Sequence, residues 1–170
     1  VGIYQAAYVI SGLYINTILS AMGKDFYPRL AAAANDSKEE IRIINEQTEI
    51  GMLMAAPGLL FTLAFSPLII PLLYSNLFSE AIPILQWIIM GVFLRTISWP
   101  LGFLFMARAK SLLFFFVELI TNLLHLTLAF FLLNFYGLIG LGIAFFMLYL
   151  FYTILVKIIA SKLNAFYWTK

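Results

Sequence analysis

The sequence predicts an all-α fold, a polytopic transmembrane helical bundle of five spans, and three observations predict it. Hydrophobic residues make up 64% of the chain and charged residues 11%, whereas a soluble domain carries about a quarter of its residues charged. The charges are segregated: of ten basic and eight acidic residues, ten lie between Lys24 and Glu49. Most of the remaining chain divides into nearly uncharged runs of the ~20 residues a helix needs to cross hydrocarbon. Aromatic residues, at 17%, suit lipid-facing and interfacial surface.

Each span follows from where charge is missing. Residues 1–23 carry none and place the first at about 3–22. Residues 50–79 are also uncharged and hold the second, about 51–65. Its extension, 66–75, is expected to break, because Ser66-Pro67-Leu68-Ile69-Ile70-Pro71 pairs two prolines that cannot donate backbone hydrogen bonds. The third runs over about 82–106 with Arg95 as its one charge. Residues 111–156 contain Glu118 and His125 and are too long for one crossing. Asn134-Phe135-Tyr136-Gly137 divides them into a fourth span, 112–133, and a fifth, 138–159. In the charged loop, Ser37-Lys38-Glu39-Glu40 has capping-box spacing, and Ile41, Ile44 and Thr48 repeat at helical period. An amphipathic cytoplasmic helix over about 37–49, at the membrane surface and running on into the second span, is expected.

Orientation follows from the bases. Lys24, Arg29, Lys38, Arg42, Arg108, Lys110, Lys157, Lys162 and Lys170 fall on one side, leaving Arg95 as the tenth. The positive-inside rule makes that side cytoplasmic, with the C-terminus inside and the N-terminus outside. An outside start at Val1, with neither an initiator Met nor a signal peptide, implies at least one helix upstream.

The polar groups within the spans are the candidate site. Arg95 lies about 18 Å from the cytoplasmic loop at ~1.5 Å per residue, and a central Arg costs about 2.5–3.5 kcal/mol on insertion scales, so it should face protein or water. Gly91, Ser98 and Gly102 share its face and admit a close neighbour. Glu118, Asn122 and His125, at i, i+4 and i+7, form a second polar face. The short loop 107–111 pairs the third and fourth spans, which brings Arg95 within reach of Glu118. The first span adds Gln5, Tyr8, Gly12 and Asn16 on one face, and Gln86 opens the third. Two readings stand side by side: a structural Arg95–Glu118 ion pair with amides cross-linking the bundle, or polar stripes lining a water-filled cavity. In the second, Glu118 and His125 are candidates for ion or proton coupling. Pro57, beside Gly58, is a candidate hinge, and Pro100, after Trp99, a candidate kink.

Several chemistries find no support. There is one His and no Cys, so no metal site is expected. Gly137-Leu138-Ile139-Gly140-Leu141-Gly142 lacks the Lys and strand context of a phosphate loop and is read as helix packing. Phe166-Tyr167-Trp168 and Trp87 are read as interfacial anchors. No nucleophile–base–acid trio or nucleic-acid patch is present, so no catalytic residue, cofactor or nucleic-acid partner is expected.

Gly2-Ile3-Tyr4-Gln5-Ala6-Ala7-Tyr8, and Leu19-Ser20-Ala21-Met22-Gly23-Lys24-Asp25-Phe26-Tyr27-Pro28-Arg29-Leu30, resemble bacterial polysaccharide transporters of the O-antigen flippase type. So do Asn45-Glu46-Gln47 through Pro57-Gly58, Leu73-Tyr74-Ser75 with Phe78, and Ile97-Ser98-Trp99-Pro100-Leu101-Gly102. These transporters belong to the multidrug/oligosaccharidyl-lipid/polysaccharide exporter superfamily. The resemblance covers nearly the whole chain and implies part of the C-terminal lobe of a two-lobe flippase fold, with the N-terminal lobe as its partner. It also implies translocation of an undecaprenyl-diphosphate-linked oligosaccharide across the bacterial inner membrane, without enzymatic chemistry. Membrane lipids and other polysaccharide-assembly proteins are the further partners it implies. A lipid II flippase, a drug/cation antiporter of the same superfamily, and a membrane-embedded enzyme acting on lipid-linked sugars are the alternatives.

Overall fold

A computed structural model describes residues 2–34, 36–164 and 166–168; Lys170, counted above among the tail bases, lies outside them. The described residues form five helices: α1 (Gly2–Ala32), α2 (Ser37–Leu73), α3 (Ala81–Ala107), α4 (Ser111–Tyr136) and α5 (Leu138–Asn164), with a short 3-10 turn at Asn76–Phe78. All five are long and apolar enough to cross a membrane.

The first two helices outrun the spans expected of them. α1 has 31 residues and α2 has 37, or about 46 and 55 Å at ~1.5 Å per residue, against a hydrocarbon core of ~30 Å. The surplus is the charged segment: residues 24–32 are helix, not loop. Charge ends a span without ending a helix, because water satisfies the side chains while the backbone ladder continues. Residues 37–49 do run on into the second span, and their apolar face packs into the bundle. Ile41, Ile43 and Ile44 are buried against Phe26, Leu30, Leu104, Phe105, Val156 and Ala160. Asp36, not Ser37, caps α2, accepting from the Lys38 and Glu39 amides at 3.1 and 3.3 Å.

The break expected at 66–71 is absent, since α2 is helical through Pro67 and Pro71 to Leu73. The reason at Pro67 is local. A proline there leaves the carbonyl four residues back without its donor, and the Ser66 hydroxyl donates to that carbonyl, Leu63 O, at 3.0 Å. Gln86 of α3 in turn donates to the Ser66 hydroxyl at 3.1 Å. Pro57 and Pro100 likewise lie within unbroken helices. Next to Pro57, Tyr14 of α1 donates its hydroxyl to Met54 O at 2.6 Å and ties the two helices there.

The helix order in space also differs from expectation. α3 and α4 share a short loop but barely touch; α5 packs against both and separates them. Residue size decides this. A Cβ at Gly91 would meet the Phe146 Cα at 3.2 Å, and one at Gly142 would meet the Ile84 carbonyl at 2.9 Å. Glycines on both helices therefore let α3 and α5 approach backbone to backbone. α3 is the most buried helix and α4 the least, with 61% and 11% of their apolar windows enclosed. α4 turns Leu112, Phe115, Phe116, Leu123 and Phe130 outward.

Arg29 and Arg108 bind neighbouring helices at one end of the bundle, the basic end. Arg29 of α1 pairs with Glu46 of α2 at 3.2 Å. Arg108, just after α3, donates to Glu40 of α2 through Nε at 2.9 Å and to Leu163 O of α5 at 2.9 Å. Phe166 is buried at this same end and Trp168 packs on it edge-on, so Phe166 belongs to the core and not to an interfacial anchor.

Candidate functional site

The site is built on α3, in the half of the helix nearer the basic end. Arg95, Ser98, Trp99, Gly102 and Phe103 follow one another at helical period and form one wall of a cavity of about 280 Å³. α4 supplies Glu118, Thr121 and Asn122 from the opposite side, and α5 supplies Leu148, Tyr149 and Tyr152 as its floor. The wedging of α5 between α3 and α4 creates this space: helices in direct contact would have filled it with side chains.

Arg95 faces two ways. Together with Trp99 and Phe103 it also lines a shallower concavity with Asn16, Leu19, Ser20, Gly23 and Lys24 of α1. The Arg95–Trp99–Phe103 edge is thus a ridge shared by two adjoining hollows, one toward α1 and one toward α4. Asn16, Ser20, Lys24 and Asn122 are exposed, while Arg95 and Glu118 are half-buried. One face of the bundle therefore carries a polar path from Lys24 across Arg95 to Asn122.

The structural Arg95–Glu118 ion pair does not form. Both side chains line the same cavity, yet no ion pair within 4 Å joins them, and the Arg95 guanidinium makes no hydrogen bond among the described residues. Glu118 is engaged elsewhere: Tyr152 donates its hydroxyl to Oε1 at 3.1 Å. Asn122 donates its amide to the Glu118 backbone carbonyl at 2.8 Å.

Of the six residues singled out in the sequence, the structure gathers four. Arg95, Glu118 and Asn122 share the main cavity, and Asn16 meets Arg95 on the α1 side. His125 lines neither hollow; it is half-buried, with its ring edge-on to Phe145 at 6.5 Å. It shares a face of α4 with Glu118, two turns further along the helix, but lies outside the cavity. Gln5 is exposed on α1, eleven residues or about 16 Å before Asn16, and lines neither hollow. Tyr149 and Tyr152 were missed because α5 carries no charge in its middle. The signal was there: a Tyr hydroxyl deep in an apolar helix needs a partner, and Tyr152 lies fourteen residues inside α5.

The described residues contain no group of three His, Asp or Glu side chains placed to hold a metal ion. Chemically, the arrangement offers an unengaged guanidinium beside hydroxyl, amide and carboxylate groups. That set binds anions and hydroxylated groups together.

Residues 1–83 match a family model described as a polysaccharide biosynthesis protein. The match takes in α1, α2 and the start of α3, including Asn16 and the α1 side of the ridge, and ends before Arg95. No curated protein and no solved structure matches the chain. Taken with five helices able to cross a membrane, the match supports a multi-pass membrane protein with a role in polysaccharide synthesis or transport.

Proposed function

We propose that the chain is part of one lobe of a flippase that moves an undecaprenyl-diphosphate-linked oligosaccharide, of the O-antigen type, from the inner to the outer leaflet of the bacterial inner membrane. The observation that carries this is Arg95: a guanidinium inside a membrane-spanning helix, on a cavity wall, with no ion pair or side-chain hydrogen bond among the described residues. A diphosphate does not cross hydrocarbon unaided, and a guanidinium offers paired donors that match phosphate oxygens. The adjoining Asn16, Ser20, Glu118 and Asn122 supply partners for sugar hydroxyls, while the polyprenyl tail stays in the bilayer. A cavity of about 280 Å³ holds a diphosphate or a sugar ring but not an oligosaccharide, so the face is completed by an opposing lobe. Rocking of the two lobes alternates access. In this reading the basic end and the C-terminus are cytoplasmic, the hollows open from the cytoplasmic half, and the protein carries out no covalent chemistry.

In the intact protein, Arg95→Ala is expected to abolish surface polysaccharide in a flippase-deficient strain at normal expression. Arg95→Lys is expected to restore little, because an ammonium lacks the paired donors. Full polysaccharide in Arg95→Ala would remove the proposal. A labelled lipid-linked oligosaccharide in proteoliposomes should change leaflet unaltered; a cleaved or extended product would point to an enzyme instead. A lipid II flippase shares the diphosphate, and parallel assays with the two lipids separate them. A cationic-drug antiporter fits less well, because the free charge in the cavity is positive.

A further inference from the structure

We infer that Tyr152 is a positioning residue that keeps Arg95 available for an anion, by holding the Glu118 carboxylate away from it. This rests on the reading of Arg95 as the diphosphate contact and adds to it how the site avoids closing on itself.

A guanidinium and a carboxylate that share a cavity away from bulk water attract each other strongly, and their natural arrangement is a forked pair. Such a pair would cancel the charge the substrate needs. Arg95 and Glu118 line one cavity and are not paired. The cause lies on α5, which packs against both of their helices. Its Tyr152 hydroxyl donates to Glu118 Oε1 at 3.1 Å and is the one side-chain donor to that carboxylate among the described residues. Asn122, one turn further along α4, does not compete, because its amide is given to the Glu118 backbone carbonyl.

The tyrosine is itself held in place. A Cβ at Gly102 would stand 3.1 Å from the Tyr152 hydroxyl oxygen, so the glycine on α3 leaves the hydroxyl its space. The Tyr149 ring meets that of Tyr152 edge-on at 6.2 Å from the other side. Three helices thus converge on one hydrogen bond. Its effect is to set Glu118 facing α5 and leave Arg95 facing the cavity. Removing the phenol frees the carboxylate to turn toward Arg95 and compete with the substrate.

The test is a double-mutant cycle on the intact protein in lipid nanodiscs, with binding of farnesyl diphosphate, a short polyprenyl diphosphate, as the readout. Tyr152→Phe keeps the ring and removes the donor, and is expected to weaken binding about tenfold, the scale of a lost hydrogen bond to a charged group. Glu118→Gln keeps the shape and removes the competing charge, so Tyr152→Phe/Glu118→Gln should bind as Glu118→Gln alone does. Gly102→Ala, which crowds the hydroxyl from α3, should weaken binding when Glu118 is present and leave it unchanged when combined with Glu118→Gln. Equal losses from Tyr152→Phe in both backgrounds would show a packing role only and overturn the inference. So would wild-type binding by Tyr152→Phe while Arg95→Ala binds none. If Arg95→Ala binds farnesyl diphosphate normally, the reading of Arg95 itself falls, and the role of Tyr152 with it.

Discussion

Two arginines thirteen residues apart belong to the same stretch of chain and live opposite lives. The Arg95 guanidinium, inside α3, gives no hydrogen bond to protein among the described residues and borders two hollows. Arg108, at the end of α3, donates from Nε, Nη1 and Nη2 to the Glu40 carboxylate, the Leu163 carbonyl and the Ser37 hydroxyl. Its side chain is 14% exposed and that of Glu40 is fully buried, and hydrogen bonding to Glu40 raises the Arg108 pKa above its ordinary value. Residue type does not separate a structural guanidinium from a functional one. The degree of satisfaction does: Arg108 joins α2, α3 and α5 at the basic end, whereas Arg95 has its bonds still to make.

The largest expected effect tests this contrast directly. Arg108→Ala removes the ion pair with the fully buried Glu40 carboxylate and should cost about 3–5 kcal/mol of stability. Arg95→Ala strands nothing and should cost about 1 kcal/mol or less. Unfolding of both variants by denaturing detergent in mixed micelles measures the difference. Comparable losses would mean that Arg95 has a structural partner after all and would break the comparison. Arg→Lys sharpens it: at position 108 the fork to Leu163 and Ser37 is lost, for about 1–3 kcal/mol, while Arg95→Lys should leave stability near wild type and still fail in transport.

How much of this was legible in the sequence depends on the range of the interaction. The five helices were, because a charge-free run of about twenty residues is a local property. The proline break was not: Pro67 is tolerated because the neighbouring Ser66 donates to the orphaned Leu63 carbonyl, a compensation that a rule about proline alone does not contain. The role of Glu40 was misread for a similar reason. Its spacing from Ser37 suggested a capping box, but its carboxylate accepts from Arg108, 68 residues away. Helical period placed Arg95, Glu118 and Asn122 on the right faces, yet it also grouped His125 with them, and period says nothing of which neighbour a face meets. That neighbour was α5 where the short loop suggested α4 for α3, and with α5 came Tyr152.

The α3–α5 contact is therefore the next place to press. A Cβ at Gly142 falls 2.9 Å from the Ile84 carbonyl oxygen, closer than backbone atoms allow, so Gly142→Ala must push the two helices apart. Overpacking of this kind costs about 1–3 kcal/mol. Because α5 also forms the cavity floor, the same variant should lower farnesyl diphosphate binding, whereas Arg108→Lys, which loosens only the basic end, should lower stability with less effect on binding. Equal binding losses in the two would show that the ends of α3 are coupled and not independent.

The smallest effect concerns the turn that places Arg108. Ala109 has φ of 53°, a left-handed conformation that the Cβ of an L-residue opposes. Its N–H reaches Met106 O at 3.0 Å and that of Lys110 reaches Phe105 O at 2.8 Å, the paired bonds of a Schellman ending in which glycine is the usual residue. Ala109→Gly relieves the strain at the cost of added freedom in the unfolded chain, and should stabilise by about 0.5–1 kcal/mol. The bonds of the turn stay in place, so Arg108 keeps its three partners and the gain should appear in detergent unfolding with farnesyl diphosphate affinity unchanged. A loss of stability would mean that the added freedom at Ala109 outweighs the relief of strain and lets the Arg108 bonds loosen, so that the rigidity of this turn is itself part of what keeps one arginine occupied while the other stays open.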